Sequence, residues 1–293
     1  MIRIISFFII LCFSCANYSI LQAQNLKEKQ SITSKVLGEA VSYSIYFPPN
    51  YNATNRSYPV TYVLHGYTDN ETAWVQFGEI DRQADEAILS GKIPPMILVM
   101  PDAKVTWYVN DAEGKKRYED FFIEEFISHI DKTYRTRAKK EFRAITGLSM
   151  GGYGSFLYAI KHPDLFAASA PLSAAFYTEE KVITYDQERW DNVEGLMYGK
   201  NLKGQERITD HWKANNPFEI LKSSDKEALR SVKYWIDCGD DDFLYEGNSK
   251  MHIVLRDMEI PHEFRIRGGA HNWTYWRTGI IDALAFIGES FRR

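Results

Sequence analysis

The stretch that most constrains this chain runs from Glu141 to Pro163, EFRAITGLSMGGYGSFLYAIKHP. Its centre, Gly147-Leu148-Ser149-Met150-Gly151, places a glycine two residues to either side of a serine. Phe142, Ala144 and Ile145 ahead of it read as a buried strand. Phe156, Leu157 and Ile160 behind it share a helical face, and Pro163 supplies a stop. A strand turning sharply into a helix around a serine is the setting of a nucleophile elbow. Such a turn strains the serine backbone and leaves no room for side chains two residues away, so Gly147 and Gly151 answer a steric demand. Met150 then offers its N–H, at a helix N-terminus, to a developing oxyanion. The bland alternative is a glycine-rich turn whose serine caps a helix.

The rest of the chain alternates strands with helices. Residues 24–33 are polar and read as a loose terminus. From Ser34 to Phe47 a partial alternation (Val41, Tyr43, Ile45, Phe47) predicts antiparallel strands at a sheet edge, ended by Pro48-Pro49. Pro59 to Leu64 predicts a central strand leading into His65-Gly66, and Thr72 to Ser90 a helix. Met96 to Met100 predicts a buried strand. Phe122, Phe126, Ile130 and Tyr134 recur at helical spacing over Tyr118 to Tyr134. Further strands are expected at Phe166–Leu172, Val232–Ile236 and His262–Ile266, with helices at Asn248–Glu259 and Thr278–Phe291. Between these, about 174–216, the pattern weakens and reads as a cap inserted over one end of the sheet. The expected architecture is α/β: a mostly parallel central sheet flanked by helices in a single domain over 24–293. Ligands of such sheets bind beyond the carboxyl ends of the strands. The loops there are 65–67, 149–150, 237–242 and 268–271.

Composition narrows the partners. With 293 residues, 45% hydrophobic, the chain suits one large domain. A formal charge of −4 gives no electrostatic reason to bind nucleic acid. Arg3, the apolar run Ile4 to Phe13 and the small residue Ala23 predict an export signal over 1–23, cleaved near Ala23. The run is too short to span a membrane comfortably, so no span is expected in the mature chain. The expected location is secreted or periplasmic. Cys15 after Ser14 offers a lipoprotein alternative, though Cys12 and Phe13 fit a lipidation site poorly. Cys12 and Cys15 lie in the signal, which leaves Cys238 alone. The mature chain then has no internal disulfide and no cysteine metal site. No cofactor and no metal are expected.

A serine hydroxyl needs a base and a group to hold that base. In this kind of fold the acid and then the histidine follow the serine in the chain. His129, His162 and His252 fall in helical patterns, His211 in the cap and His262 at a strand start. Only His271 lies on a glycine-flanked loop after the last strand. The acid belongs after the strand Val232–Ile236, where Asp237, Asp240, Asp241 and Asp242 all qualify by spacing. Gly66 lets the next N–H face the site, so Tyr67 and Met150 are the expected oxyanion donors. His65 reads as ordering this loop. Trp74, Trp107, Tyr108, Trp273, Tyr275 and Trp276 fall near the same end of the sheet. Of these, Trp74, Trp107, Tyr108 and Trp273 are the candidate substrate-binding residues.

With these residues in view, the chain resembles the esterase D-type, or putative esterase, branch of the α/β-hydrolases over about residues 34–291. The carriers are Tyr46-Phe47-Pro48-Pro49-Asn50-Tyr51, Leu64-His65-Gly66, Gly147 to Gly152, Asp237-Cys238-Gly239 with Asp242-Phe243-Leu244, and Gly268-Gly269-Ala270-His271-Asn272-Trp273. The family includes feruloyl and acetylxylan esterases of carbohydrate esterase family 1, S-formylglutathione hydrolases and mycolyltransferases. The resemblance implies an α/β-hydrolase fold and an acid immediately before the Phe-Leu pair, hence Asp242. It also implies Tyr67 and Met150 as oxyanion donors. The expected function is a secreted serine carboxylesterase acting on feruloyl-type esters of a plant polysaccharide such as xylan. The substrate would be a small-molecule or oligosaccharide ester. Acetylxylan or short-chain esterase, acyltransferase and non-catalytic glycan binder are the alternatives.

Overall fold

The computed structural model describes residues 25–291. The export signal expected over 1–23, with its cleavage site and Cys15, lies outside these residues. Eight strands form one sheet: β1 (Leu26–Thr33), β2 (Ala40–Tyr46), β3 (Val60–Leu64), β4 (Ile97–Pro101), β5 (Arg143–Leu148), β6 (Ala168–Leu172), β7 (Lys233–Gly239) and β8 (His262–Arg267). Their order across the sheet is β1-β2-β4-β3-β5-β6-β7-β8. The β1–β2 and β2–β4 pairs are antiparallel, and all the others are parallel. This is the α/β-hydrolase arrangement, and β5 with the elbow lies at its centre.

The strands split their side chains between two helical layers, as a period of two requires. From β3 and β4, Tyr62, Leu64, Ile97 and Val99 join the core on one face, while Val63, Leu98 and Met100 join the core on the other. The first face is covered by α2 (Ile127–Thr133), α3 (Met150–Lys161) and α5 (Tyr245–Asp257). The second is covered by α1 (Ile80–Leu89) and α6 (Trp273–Ser290). Helix α3 is buried over nearly its whole length, which is why its apolar residues spill beyond one stripe. Each large side chain buried in these layers stabilises the fold by about 1.5–3 kcal/mol relative to exposure.

Three expectations shift. Residues 26–33 are not loose but form the edge strand β1, paired with β2. Its polarity reflects solvent on both sides of an edge rather than disorder. The helix expected over Thr72–Ser90 is two, Ala73–Gln76 and α1, separated at Glu79, whose φ of 50° breaks the helical path. The helix at Tyr118–Thr133 carries a π-type segment over Phe121–Phe126. Segment 174–216 is a string of short helices, including α4 (Gln187–Asn192), packed through Trp190, Met197, Tyr198 and Trp212 into the α3-side core.

Candidate active site

The elbow forms as its small residues demand. Ser149 sits between β5 and α3 at φ 55°, ψ −117°, a conformation costing an L-residue about 1–3 kcal/mol. Neighbours hold it there: its N–H donates to Leu172 O (3.0 Å), and its carbonyl accepts from Tyr153 N–H (2.9 Å) and Ala175 N–H (3.1 Å). A Cβ at Gly147 would lie 2.6 Å from Gly151 O, and one at Gly151 2.5 Å from Leu64 O. These are backbone atoms of the adjoining strand and turn, so neither position admits a side chain.

The loop after β3 closes over the elbow. A Cβ at Gly66 would meet Leu148 Cδ1 at 2.6 Å and Ser149 Cβ at 3.7 Å, so this loop lies directly against Ser149. Met150 is the first residue of α3, where an N–H has no carbonyl one turn back to accept it. His65 is buried inside this loop. Its Nε2 accepts from Ala103 N–H (2.8 Å), so its proton sits on Nδ1 and goes to Gly66 O (2.7 Å). The histidine therefore braces the loop.

Ser149, His271 and Asp242 meet across three loops. His271 Nε2 is 3.0 Å from Ser149 Oγ, and its Nδ1 is 2.9 and 3.0 Å from the two Asp242 oxygens. Asp242 is buried at 1% exposure. Burial raises its pKa, but hydrogen bonds from His271, the Leu244 N–H (2.8 Å) and Ser173 outweigh that and hold the carboxyl below its usual range. The imidazole lies between Phe243, at 4.5 Å between centroids, and Trp276, which meets it edge-on at 4.8 Å. Trp276 is anchored in turn by Nε1–H to Ser173 Oγ (3.0 Å). The other three aspartates are occupied elsewhere or exposed. Asp237 is paired with Arg267, Asp240 accepts Gly269 N–H at 2.8 Å, and Asp241 is exposed.

These groups line a cleft of about 440 Å³. Of the candidate substrate-binding residues, Trp107 and Trp273 line it, and Trp74 and Tyr108 do not. Trp74 is wholly buried, donates Nε1–H to Leu64 O (2.9 Å) and supports Trp273 edge-on at 5.2 Å. Tyr108 is wholly buried too, its hydroxyl on His65 O (3.0 Å). Their inward position has a physical cause. Trp107 and Tyr108 are consecutive left-handed residues (φ 54° and 58°), and anchoring Tyr108 inward turns Trp107 outward into the cleft.

Sequence reasoning missed Tyr177, Arg189 and Val193 from the cap, and Asp69 after Gly66, all of which line the cleft. Burial pushes the Asp69 carboxyl up. Tyr67 ties segment 174–216 to the loop after β3, its hydroxyl donating to Asn192 O (3.0 Å). No periodic signal marks the cap residues. Phe243 was visible as part of the Asp-Phe-Leu motif. Among the described residues no group of three or more His, Cys, Asp or Glu is placed to hold a metal, and no helix is long and apolar enough to cross a membrane.

A solved ferulic acid esterase is 30% identical, with a TM-score of 0.78, covering 91% of this chain and 99% of its own. An esterase of Mycobacterium tuberculosis is 28% identical over 260 residues, 81% of this chain and 54% of that protein. An endo-1,4-beta-xylanase/feruloyl esterase of Xylanibacter ruminicola is 34% identical over 156 residues, 51% of this chain and 22% of that protein. The chain thus spans about half the length of the first of these two curated relatives and about a fifth of the second. Residues 34–287 match the profile of the putative esterase family, and the chain belongs to that family.

Proposed function

We propose that this protein is a serine carboxylesterase cleaving hydroxycinnamoyl esters of a plant glycan such as xylan. The observation that carries the reading is the continuous hydrogen-bonded line Ser149–His271–Asp242 at the floor of an aromatic cleft. His271 takes the Ser149 proton through Nε2 as Oγ attacks the ester carbonyl. The Oγ–carbonyl bond forms, and the carbonyl oxygen becomes an oxyanion facing the Tyr67 and Met150 N–H groups. Asp242 keeps the other imidazole proton on Nδ1 and stabilises the imidazolium. His271 then gives its proton to the departing sugar oxygen. Water, deprotonated by the same histidine, releases the acid and restores Ser149.

The likeness to ferulic acid esterase and to a xylanase/feruloyl esterase favours an aromatic acyl group over acetyl. Trp107 and Tyr177 offer faces such a group can bury, and Trp273 and Trp276 offer faces to the sugar it leaves. An export signal over 1–23 fits a glycan substrate outside the cytoplasm. The test measures methyl ferulate, an acetylated xylooligosaccharide and a short fatty-acid ester on wild type and Ser149→Ala. Wild type should favour ferulate, and the variant should lose at least about three orders of magnitude in kcat while melting normally. Ester turnover by Ser149→Ala close to wild type would refute the serine mechanism.

A further inference from the structure

The two ends of the cleft differ. One is bordered by Trp273 and Trp276, with Phe77 (49% exposed) beside Trp273 and Phe243 (66% exposed) over His271. The other is walled by Trp107, 4% exposed, with Tyr177, Val193 and Arg189, and is the more closed of the two. A polysaccharide leaving group fits the more open end, and a finite acyl group the more closed one.

The closed end finishes in polar atoms. Arg189, on α4, has its guanidinium 4.0 Å from the Tyr185 ring centroid. Its Nη2 donates to Glu194 Oε1 (3.1 Å) and to Tyr177 Oη (3.3 Å). Glu194 is 3% exposed; burial pushes its carboxyl up, and the Arg189 guanidinium opposes that shift. Arg189 Nε, Glu194 Oε2, Trp107 Nε1 and Tyr185 Oη are all buried without a protein partner. Trp107, Tyr177 and Glu194 also line a void of about 20 Å³ behind the wall, room for one water. Buried unpaired polar atoms are costly, and a water in that void can answer those that face it, while Arg189, 38% exposed on the cleft wall, uses only Nη2 for Glu194 and Tyr177 and keeps Nη1 without a hydrogen bond among the described residues.

We propose that Arg189 is a specificity-determining residue for the acyl group, donating hydrogen bonds to ring oxygens (hydroxyl or methoxyl) of a cinnamoyl ester. Glu194 is its positioning residue. This rests on the reading of the protein as a hydroxycinnamoyl esterase and deepens it. The charge balance selects neutral acceptors. Glu194 already answers the Arg189 charge, and Asp69 adds a carboxyl to the same cleft, so an anionic acyl group gains little there.

The experiment compares kcat/KM for methyl ferulate, methyl 4-hydroxycinnamate and methyl cinnamate on wild type, Arg189→Ala, Arg189→Lys and Glu194→Gln. 4-Nitrophenyl acetate reports the nucleophile, and thermal melting reports the cap. Wild type should prefer the two oxygenated esters to cinnamate by about 10- to 100-fold, the range of a hydrogen bond to a charged group. Arg189→Ala should collapse that ratio towards one, Arg189→Lys should restore part of it, and Glu194→Gln should reduce it. An unchanged ratio in a folded Arg189→Ala, or equal losses on all three esters, overturns the assignment. Should Arg189→Ala not fold, Arg189→Lys decides: a wild-type ratio in that variant, whose point charge lacks the planar fork, overturns it. Wild type that cleaves 4-nitrophenyl acetate but none of the cinnamoyl esters overturns the underlying function instead, whatever the variants do.

Discussion

Arg267 grips the wholly buried Asp237 through two bonds of 3.0 Å, Nε to Oδ2 and Nη2 to Oδ1. The pair joins neighbouring strands β7 and β8 just below the loops that carry Asp242 and His271. Arg267 also stacks over the Tyr275 ring, 4.1 Å from its centroid, so it braces α6 as well. Removing the cation leaves a buried carboxylate without its partner. Arg267→Ala should therefore cost about 3–5 kcal/mol of stability. Urea denaturation measures this, and a loss under about 1 kcal/mol would show that water replaces the guanidinium.

The same arithmetic separates the aspartates by function. Asp242→Asn should lower kcat by about 10³- to 10⁴-fold, because an amide holds the imidazole in the wrong tautomer. Asp240→Asn should cost less than about tenfold, since its partner is the Gly269 N–H on an exposed loop. Single-turnover kinetics on methyl ferulate measures both. A larger defect in Asp240→Asn would reverse their roles.

Acid should cost stability through Asp242 only at low pH. Asp242 is held below its usual range, so its charge contributes stability above the unfolded carboxylate pKa, about 4, and that contribution is lost only as pH falls through the still lower folded value. Urea denaturation across pH should show this contribution intact above about pH 4, and Asp242→Asn should remove it. The same acid-dependent loss in wild type and Asp242→Asn would show that Asp242 does not carry it.

Trp273 lies on the open side, packed on Trp74 and on the exposed Phe77 at 5.6 Å. Trp273→Ala should weaken a feruloylated oligosaccharide more than methyl ferulate, by about 3- to 10-fold in the ratio of kcat/KM, the size of one aromatic contact. Equal losses on both esters would place the ring on the acyl side.

Local constraints made much of this molecule legible in its sequence. Gly147 and Gly151 are required by backbone atoms 2.5–2.6 Å from where a Cβ would stand, and the same constraint recurs wherever a strand turns into a helix around a nucleophile. The central strands β3 to β7 are buried on both faces and stand out as short apolar runs. His271 was singled out because its loop follows the last strand. The edge strand β1 was hidden, because an edge has little to bury and its pairing lies in the backbone.

Tertiary structure alone decided the rest. Spacing leaves Asp237, Asp240, Asp241 and Asp242 equivalent; the family resemblance points to Asp242, and what separates them physically is what reaches each from β8 and the loop beyond it: Arg267, the Gly269 N–H, solvent or His271. Trp74 and Trp107 look alike in sequence, yet one is the floor beneath Trp273 and the other a wall of the cleft. The cap's helices are too short for a periodic signal, so Tyr177, Arg189 and Val193 become visible only once the chain has brought them over Ser149. Sequence determines which residues are able to do chemistry and which turns must be tight, because those demands act over a few bonds. Which of those residues meet depends on packing between segments far apart in the chain, and only the folded sheet brings them together.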